Sequence, residues 1–218
     1  MISFFKKKRE DLPDFWLAYE ASFEQQLAEN INDIRFVVLD TETTVFSYES
    51  HRVLCIGALE LINRTIKVQN SFEVYVIQKY YDKESAKIHG ILKKGKKHRI
   101  TELEALKQFL AYVKNDVIVA HHAHFDITMI NTALKRNGLP KLKNKVLDTS
   151  VLYRRTLLTT HMLEKKEQYT LDELADKFSI SKADRHTALG DAYITAIAFL
   201  KIIDKLKPQK LKHLFLRR

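Results

Sequence analysis

The sequence predicts an α/β fold, a mixed five-stranded sheet flanked by helices, and three observations carry this expectation. Residues 35–39, 53–61 and 65–77 are three successive runs rich in β-branched and aromatic residues, as antiparallel strands would be. Val117-Ile118-Val119-Ala120 is short and wholly apolar, the pattern of a central strand buried on both faces. Stretches of helical periodicity alternate with the later strands.

The elements follow in order. Phe15, Trp16, Tyr19, Phe23 and Leu27 recur at near-helical spacing behind Pro13, a residue suited to a first turn, so a helical extension is expected over 13–29. The three strands come next. Leu103, Leu106, Phe109, Leu110 and Val113 then mark an amphipathic helix ahead of the apolar strand. A helix over 125–137 should stop at Gly138, with Pro140 just beyond, and Val146-Leu147 reads as the last short strand. Helices are expected over 171–178 and 187–206, the latter closed by Pro208. The chain therefore divides into a helical extension (1–32), one main domain (33–206) and a basic tail (207–218). From Lys201 to Arg218 there are seven Lys or Arg against the single acid Asp204. No internal repeat is present.

With 218 residues and 45% hydrophobic content the chain can bury a sizeable core. No apolar run is long enough to cross a bilayer, and Phe4-Phe5 beside a basic cluster lacks the length of a secretion signal, so a cytoplasmic protein with no membrane partner is expected. The single Cys55 excludes an internal disulfide and reads as a small core residue. A net charge of +10 favours a polyanionic partner, with a solvated lysine-rich surface as the alternative.

Asp40-Thr41-Glu42 ends the first strand, and the two-residue period of a strand turns both carboxylates to one face. Paired acids at such a spot call for a cation, and hard divalent ions prefer carboxylate oxygens. Asp126 lies one turn into the helix that follows the buried strand. Asp191 enters the last long helix, and His186, about 140° away if both were helical, belongs to the loop before it. The run His121-His122-Ala123-His124 has no thiolate or distant partner to complete a zinc site.

Val38-Leu39-Asp40-Thr41-Glu42-Thr43-Thr44, then Val119-Ala120-His121-His122-Ala123-His124-Phe125-Asp126, then His186 with Asp191 five residues on, resemble in order and spacing the DEDD exonucleases of ribonuclease H-like fold. Ile88-His89-Gly90-Ile91, Leu147-Asp148-Thr149 and Tyr169-Thr170-Leu171-Asp172-Glu173-Leu174 echo the same family. Its other branch has tyrosine four residues before the last aspartate. Thr187 stands there, so the chain is similar to the histidine branch of the polymerase III proofreading subunit, ribonuclease T and oligoribonuclease.

The resemblance implies a 3′→5′ exonuclease using two Mg²⁺ or Mn²⁺ ions ~4 Å apart. Asp40, Glu42 and Asp191 would hold the ion that carries the attacking water, Asp40 and Asp126 the second, and His186 would take the water's proton. Thr41, Thr43, Thr44, His122 and Phe125 would hold the terminal nucleotide. DNA is the expected substrate ahead of RNA. The alternatives are a proofreading subunit bound to a polymerase, an RNA-trimming enzyme, or a silent nucleic-acid-binding module. Two positions depart from the family pattern: Val45 replaces its usual Gly, and His122 its usual Asn. Asp148 is the main rival for the fourth ligand but reads better as a helix cap, and His89 as a turn support. Lys93, Lys94, Lys96, Lys97 and Arg99 form either a phosphate track or a solvated loop.

Overall fold

A computed structural model describes residues 11–44, 52–79, 83–92, 97–157 and 166–215. β1 (Phe36–Thr43), β2 (Val53–Ile62), β3 (Thr65–Val76), β4 (Arg99–Ile100), β5 (Val117–Ala120) and β6 (Val146–Asp148) form one sheet in the order β4-β3-β2-β1-β5-β6. The first three strands are an antiparallel meander, whereas β5 runs parallel to β1, β6 parallel to β5, and β4 parallel to β3. All five expected strands are present, and β4 corrects the count to six. Two residues are too few to show a period, and β4 exists only through its pairing with Tyr75 and Val76.

The helices are α1 (Asp14–Ala21), α2 (Lys83–His89), α3 (Glu102–Val113), α4 (His124–Arg136), α5 (Thr149–Leu157), α6 (Leu171–Phe178), α7 (Ala188–Leu206) and α8 (Lys212–Phe215). α1, α3 and α4 form one layer and α5 to α8 another, and the pleat of β1 sorts its side chains between them. Val37 and Leu39 face the layer of α1, α3 and α4, with Phe109, Leu110, Met129 and Ile130. Phe36 and Val38 face the layer of α5 to α8, with Leu152, Leu174, Phe199 and Ile202. β5 lies between the layers with every residue buried, as its unbroken apolar run requires.

The described residues nearest each end of the chain pack on this frame. The extension is helical only to Ala21, shorter than expected. Ser22 Oγ donates to the Tyr19 carbonyl at 2.6 Å and Gln25 N to the Ser22 carbonyl, closing a 3₁₀ turn over Ser22–Glu24. Trp16 and Tyr19 join the first core, while Leu27 packs against the second, so the near-helical spacing reflects contacts with two layers. In the tail, Leu211 and Leu214 are buried, and Arg155 donates to the carbonyls of Leu214 (2.5 Å) and His213 (2.8 Å). Cys55 is buried and unpaired, the core role expected of it. No helix among the described residues is long and apolar enough to cross a membrane.

Candidate active site

The site forms where β1 ends. Asp40 and Glu42 continue the row of Phe36 and Val38, so both face the layer containing α7. A register shift follows Glu42, which pairs with Cys55 while Thr43 pairs with Val53. Such a bulge re-aims side chains at a sheet rim. Directly opposite Asp40 on β2 stands Gly57. A Cβ there would collide with the backbone of Ala188 and Leu189, so the missing side chain is what lets the first turn of α7 lie against the strand. Thr187 caps that turn, its hydroxyl accepting from Gly190 N at 3.1 Å, and Asp191 sits within it.

These constraints bring one carboxylate oxygen from each of Asp40, Glu42 and Asp191 within 4.8 Å of one another, the one such cluster of potential metal ligands among the described residues. Asp126 approaches from the other layer, in the first turn of α4, and stands outside this triplet. Its Oδ1 accepts from Thr41 N at 2.9 Å and Thr41 Oγ1 at 2.7 Å. Thr41 points away from Asp40 and Glu42, toward α4. The four acids thus converge on the end of one strand from both faces of the sheet.

Burial is the first cause of their unusual electrostatics. It pushes Glu42 up to about 7, aided by the charges of Asp191 and Asp126. Asp126 is also pushed up to about 7, against the pull of its Thr41 hydrogen bonds. Asp40 rises well above the usual carboxylate range through burial and the neighbouring charges of Asp126, Asp191 and Glu42. Asp191 rises too, opposed by a bond from Arg185. Four such carboxylates ionise together only beside added positive charge, and an all-oxygen donor set fits hard divalent ions. The residues present therefore fit a metal centre.

His186 lies outside α7 with positive φ, exposed, and its amide donates to Asp191 Oδ1 at 3.3 Å. Thr43 and Thr44 are buried, and Thr44 closes the hairpin with Arg52 through its amide (3.0 Å) and hydroxyl (3.2 Å). His122 has positive φ, and its carbonyl accepts from Phe125 N, while Phe125 packs partly against the first core. His121 is held neutral by burial, its pKa pulled down to about 3, with Nδ1 2.9 Å from Thr149 Oγ1. Asp148 Oδ1 accepts from Ser150 N at 2.8 Å and Oδ2 from Ala123 N at 2.9 Å, the capping geometry expected. His89 Nδ1 accepts from Ile91 N across the turn at Gly90. Val45, Lys93, Lys94 and Lys96 lie outside the described residues. Lys97 pairs with Glu73 at 3.8 Å and Arg99 with the Leu92 carbonyl.

Sequence reasoning gave no role to Gly57, Arg185 or Asp172. The place of Asp172 in the Tyr169-Thr170-Leu171-Asp172-Glu173-Leu174 stretch and the adjacency of Arg185 to His186 hinted at two of them.

Residues 37–199 match the RNase_T family model, described as Exonuclease. The chain belongs to this exonuclease family. Over 179 residues the exonuclease is 32% identical to the DNA polymerase III subunit epsilon of Buchnera aphidicola subsp. Acyrthosiphon pisum, covering 78% of this chain and 73% of that protein. It is 35% identical over 173 residues to a PolC-type DNA polymerase III of Caldanaerobacter subterraneus subsp. tengcongensis, covering 79% of this chain but only 12% of the polymerase. Among solved structures, the zinc-bound complex of E. coli exonuclease I with single-stranded DNA matches with a TM-score of 0.69 at 17% identity, over 84% of this chain and 43% of that one. This likeness bears out the ribonuclease H-like exonuclease fold.

Proposed function

We propose that this exonuclease removes nucleotides one at a time from the 3′ end of DNA, releasing nucleoside 5′-monophosphates with two divalent ions, Mg²⁺ or Mn²⁺. The observation that carries the proposal is the triplet Asp40, Glu42 and Asp191, with Asp126 reaching the same strand end from the opposite layer. Asp40, Glu42 and Asp191 are the residues for one ion, and Asp40 with Asp126 for the other. When bound, such a pair neutralises charge on both the entering and the leaving oxygen of an in-line displacement. The chain supplies the rest. His186, exposed at the mouth, accepts the proton of the attacking water, and its amide bond to Asp191 keeps it beside the carboxylates. Thr41 holds Asp126. Thr43, Thr44, His122 and Phe125 border the place of the terminal nucleotide.

Single-stranded DNA is the first substrate to test, since the exonuclease I neighbour was solved with it. A cytoplasmic setting agrees with the lone buried thiol. The name of the epsilon-subunit relative favours a second reading, a proofreading exonuclease working beside a polymerase.

The test is digestion of 5′-labelled single-stranded DNA and RNA with Mg²⁺, Mn²⁺ or EDTA, beside an Asp126→Ala control. The expected result is a metal-dependent ladder shortening from the 3′ end, faster on DNA and absent in the variant. Cleavage in EDTA, or none under any metal condition, would refute the proposal. Faster removal of mismatched ends only when a polymerase is added would favour the proofreading reading.

A further inference from the structure

Beside the carboxylate triplet, Arg185 joins two acids from different helices. Its Nε donates to Asp172 Oδ1 at 2.8 Å and its Nη2 to Asp172 Oδ2 at 3.0 Å, a two-bond fork, while Nη1 donates to Asp191 Oδ2 at 2.5 Å. The guanidinium is largely enclosed, with 17% of its side chain exposed against 8% for Asp191 and 47% for Asp172.

The anchor is rigid at both ends. Asp172 stands in the first turn of α6, which is fixed by a capping box: Thr170 Oγ1 accepts from Glu173 N at 3.2 Å and Glu173 Oε2 from Thr170 N at 2.9 Å. The turn carrying Arg185 folds back tightly on α7, because a Cβ at Gly190 would collide with the Asp184 carbonyl. The other oxygen of Asp191 accepts from His186 N at 3.3 Å. Each oxygen of Asp191 thus has one fixed donor, which sets the plane of the carboxylate and leaves its remaining lone pairs in fixed directions. A planar guanidinium that is already forked onto Asp172 is suited to impose such a plane, and a flexible ammonium is not.

We propose that Arg185, tethered by Asp172, is the positioning residue that orients Asp191 as a metal ligand and, through it, holds the His186 turn in place. The inference rests on the metal-centre reading above. It has a sharp competitor in simple electrostatics: a cation beside a ligand repels an incoming metal, so if charge alone mattered, removing Arg185 would tighten binding. If orientation dominates, removal weakens binding about 10- to 100-fold, the range known for partners that orient a metal ligand from behind.

Mn²⁺ binding to the full chain, followed by electron paramagnetic resonance, decides between them. Arg185→Gln is expected to bind Mn²⁺ about 10- to 100-fold more weakly, and Arg185→Lys to recover only part of the loss. Asp172→Asn, altered at a half-exposed carboxylate, is expected to weaken binding severalfold in the native background and to add nothing on top of Arg185→Gln, because both act through one chain of contacts. Unchanged or tighter binding by Arg185→Gln, or additive losses in the double variant, would overturn the inference. Should Arg185→Gln fail to fold, unchanged or tighter binding by Asp172→Asn overturns it alone. No Mn²⁺ binding by the unaltered chain would remove the metal reading and this inference together.

Discussion

Thr41 holds Asp126 through two bonds, one from its amide and one from its hydroxyl, and both favour the ionised carboxylate. The amide bond belongs to the backbone and survives substitution, whereas the hydroxyl bond does not. Thr41→Val keeps the side chain's shape while removing a donor to a charged group, an interaction of about 1.5–3 kcal/mol. We expect kcat/KM to fall roughly 10- to 100-fold. Burial already pushes Asp126 up to about 7, and losing a bond that opposes this raises it further. The acid limb of the pH–rate profile should therefore move to higher pH, and a profile that keeps its position would show that Thr41 does not act on Asp126. The alternation of β1 made the shared face of Asp40 and Glu42 legible from sequence, and it also implied that Thr41 faces the other way. What Thr41 meets there was not legible, because Asp126 comes from a helix 85 residues on. Arg185 was harder still: a long side chain reaches in many directions, and only the packing of α6 against α7 decides that it bridges Asp172 and Asp191.

At the scale of elements, the site depends on how closely α7 approaches the strand beside β1. Gly57→Ala places a methyl group against the backbone of Ala188 and Leu189, where no flexible side chain can move aside. The first turn of α7 must then shift away from Asp40. Overpacking of this kind costs about 1–3 kcal/mol, which a core of this size can absorb. We expect a folded protein with a modestly lower Tm, weaker Mn²⁺ binding and activity reduced by about two orders of magnitude or more. Native-like activity in this variant would mean that the contact between strand and helix does not set the geometry of the carboxylates. The long helices were legible because an apolar stripe runs their whole length, as in α7, and α6 lies over the residues its pattern marks. β4 and α8 are too short to carry a period, and each is defined by what it packs on. The extension misled because Phe23 and Leu27 kept near-helical spacing while the chain turned from one core to the other.

For the whole molecule, the crowded carboxylates couple stability to pH and metal. A carboxyl whose pKa is raised on folding binds more protons folded than unfolded, so it stabilises the fold fully below its unfolded pKa, near 4, and loses that contribution as pH rises through its folded value. Glu42 and Asp126 set that folded value at about 7, and Asp40 and Asp191 shift in the same direction. His121 works the other way. Held neutral by burial, with its pKa lowered to about 3, it withdraws stability as pH falls below about 6.5, where the unfolded imidazole takes up a proton. Between pH 6.5 and 8.0 the carboxylates dominate. The metal-free protein in EDTA should therefore melt several degrees lower at pH 8.0 than at pH 6.5. Divalent ions bind the ionised carboxylates, so saturating Mn²⁺ should raise Tm more at pH 8.0 and narrow or reverse the gap. Replacing Asp126 by Asn removes one of these charges at the outset, so the metal-free variant should lose less stability than the parent over the same interval. Differential scanning calorimetry across these conditions checks all three points. A metal-free Tm that rises from pH 6.5 to 8.0 would show that the four acids do not share one uncompensated cluster.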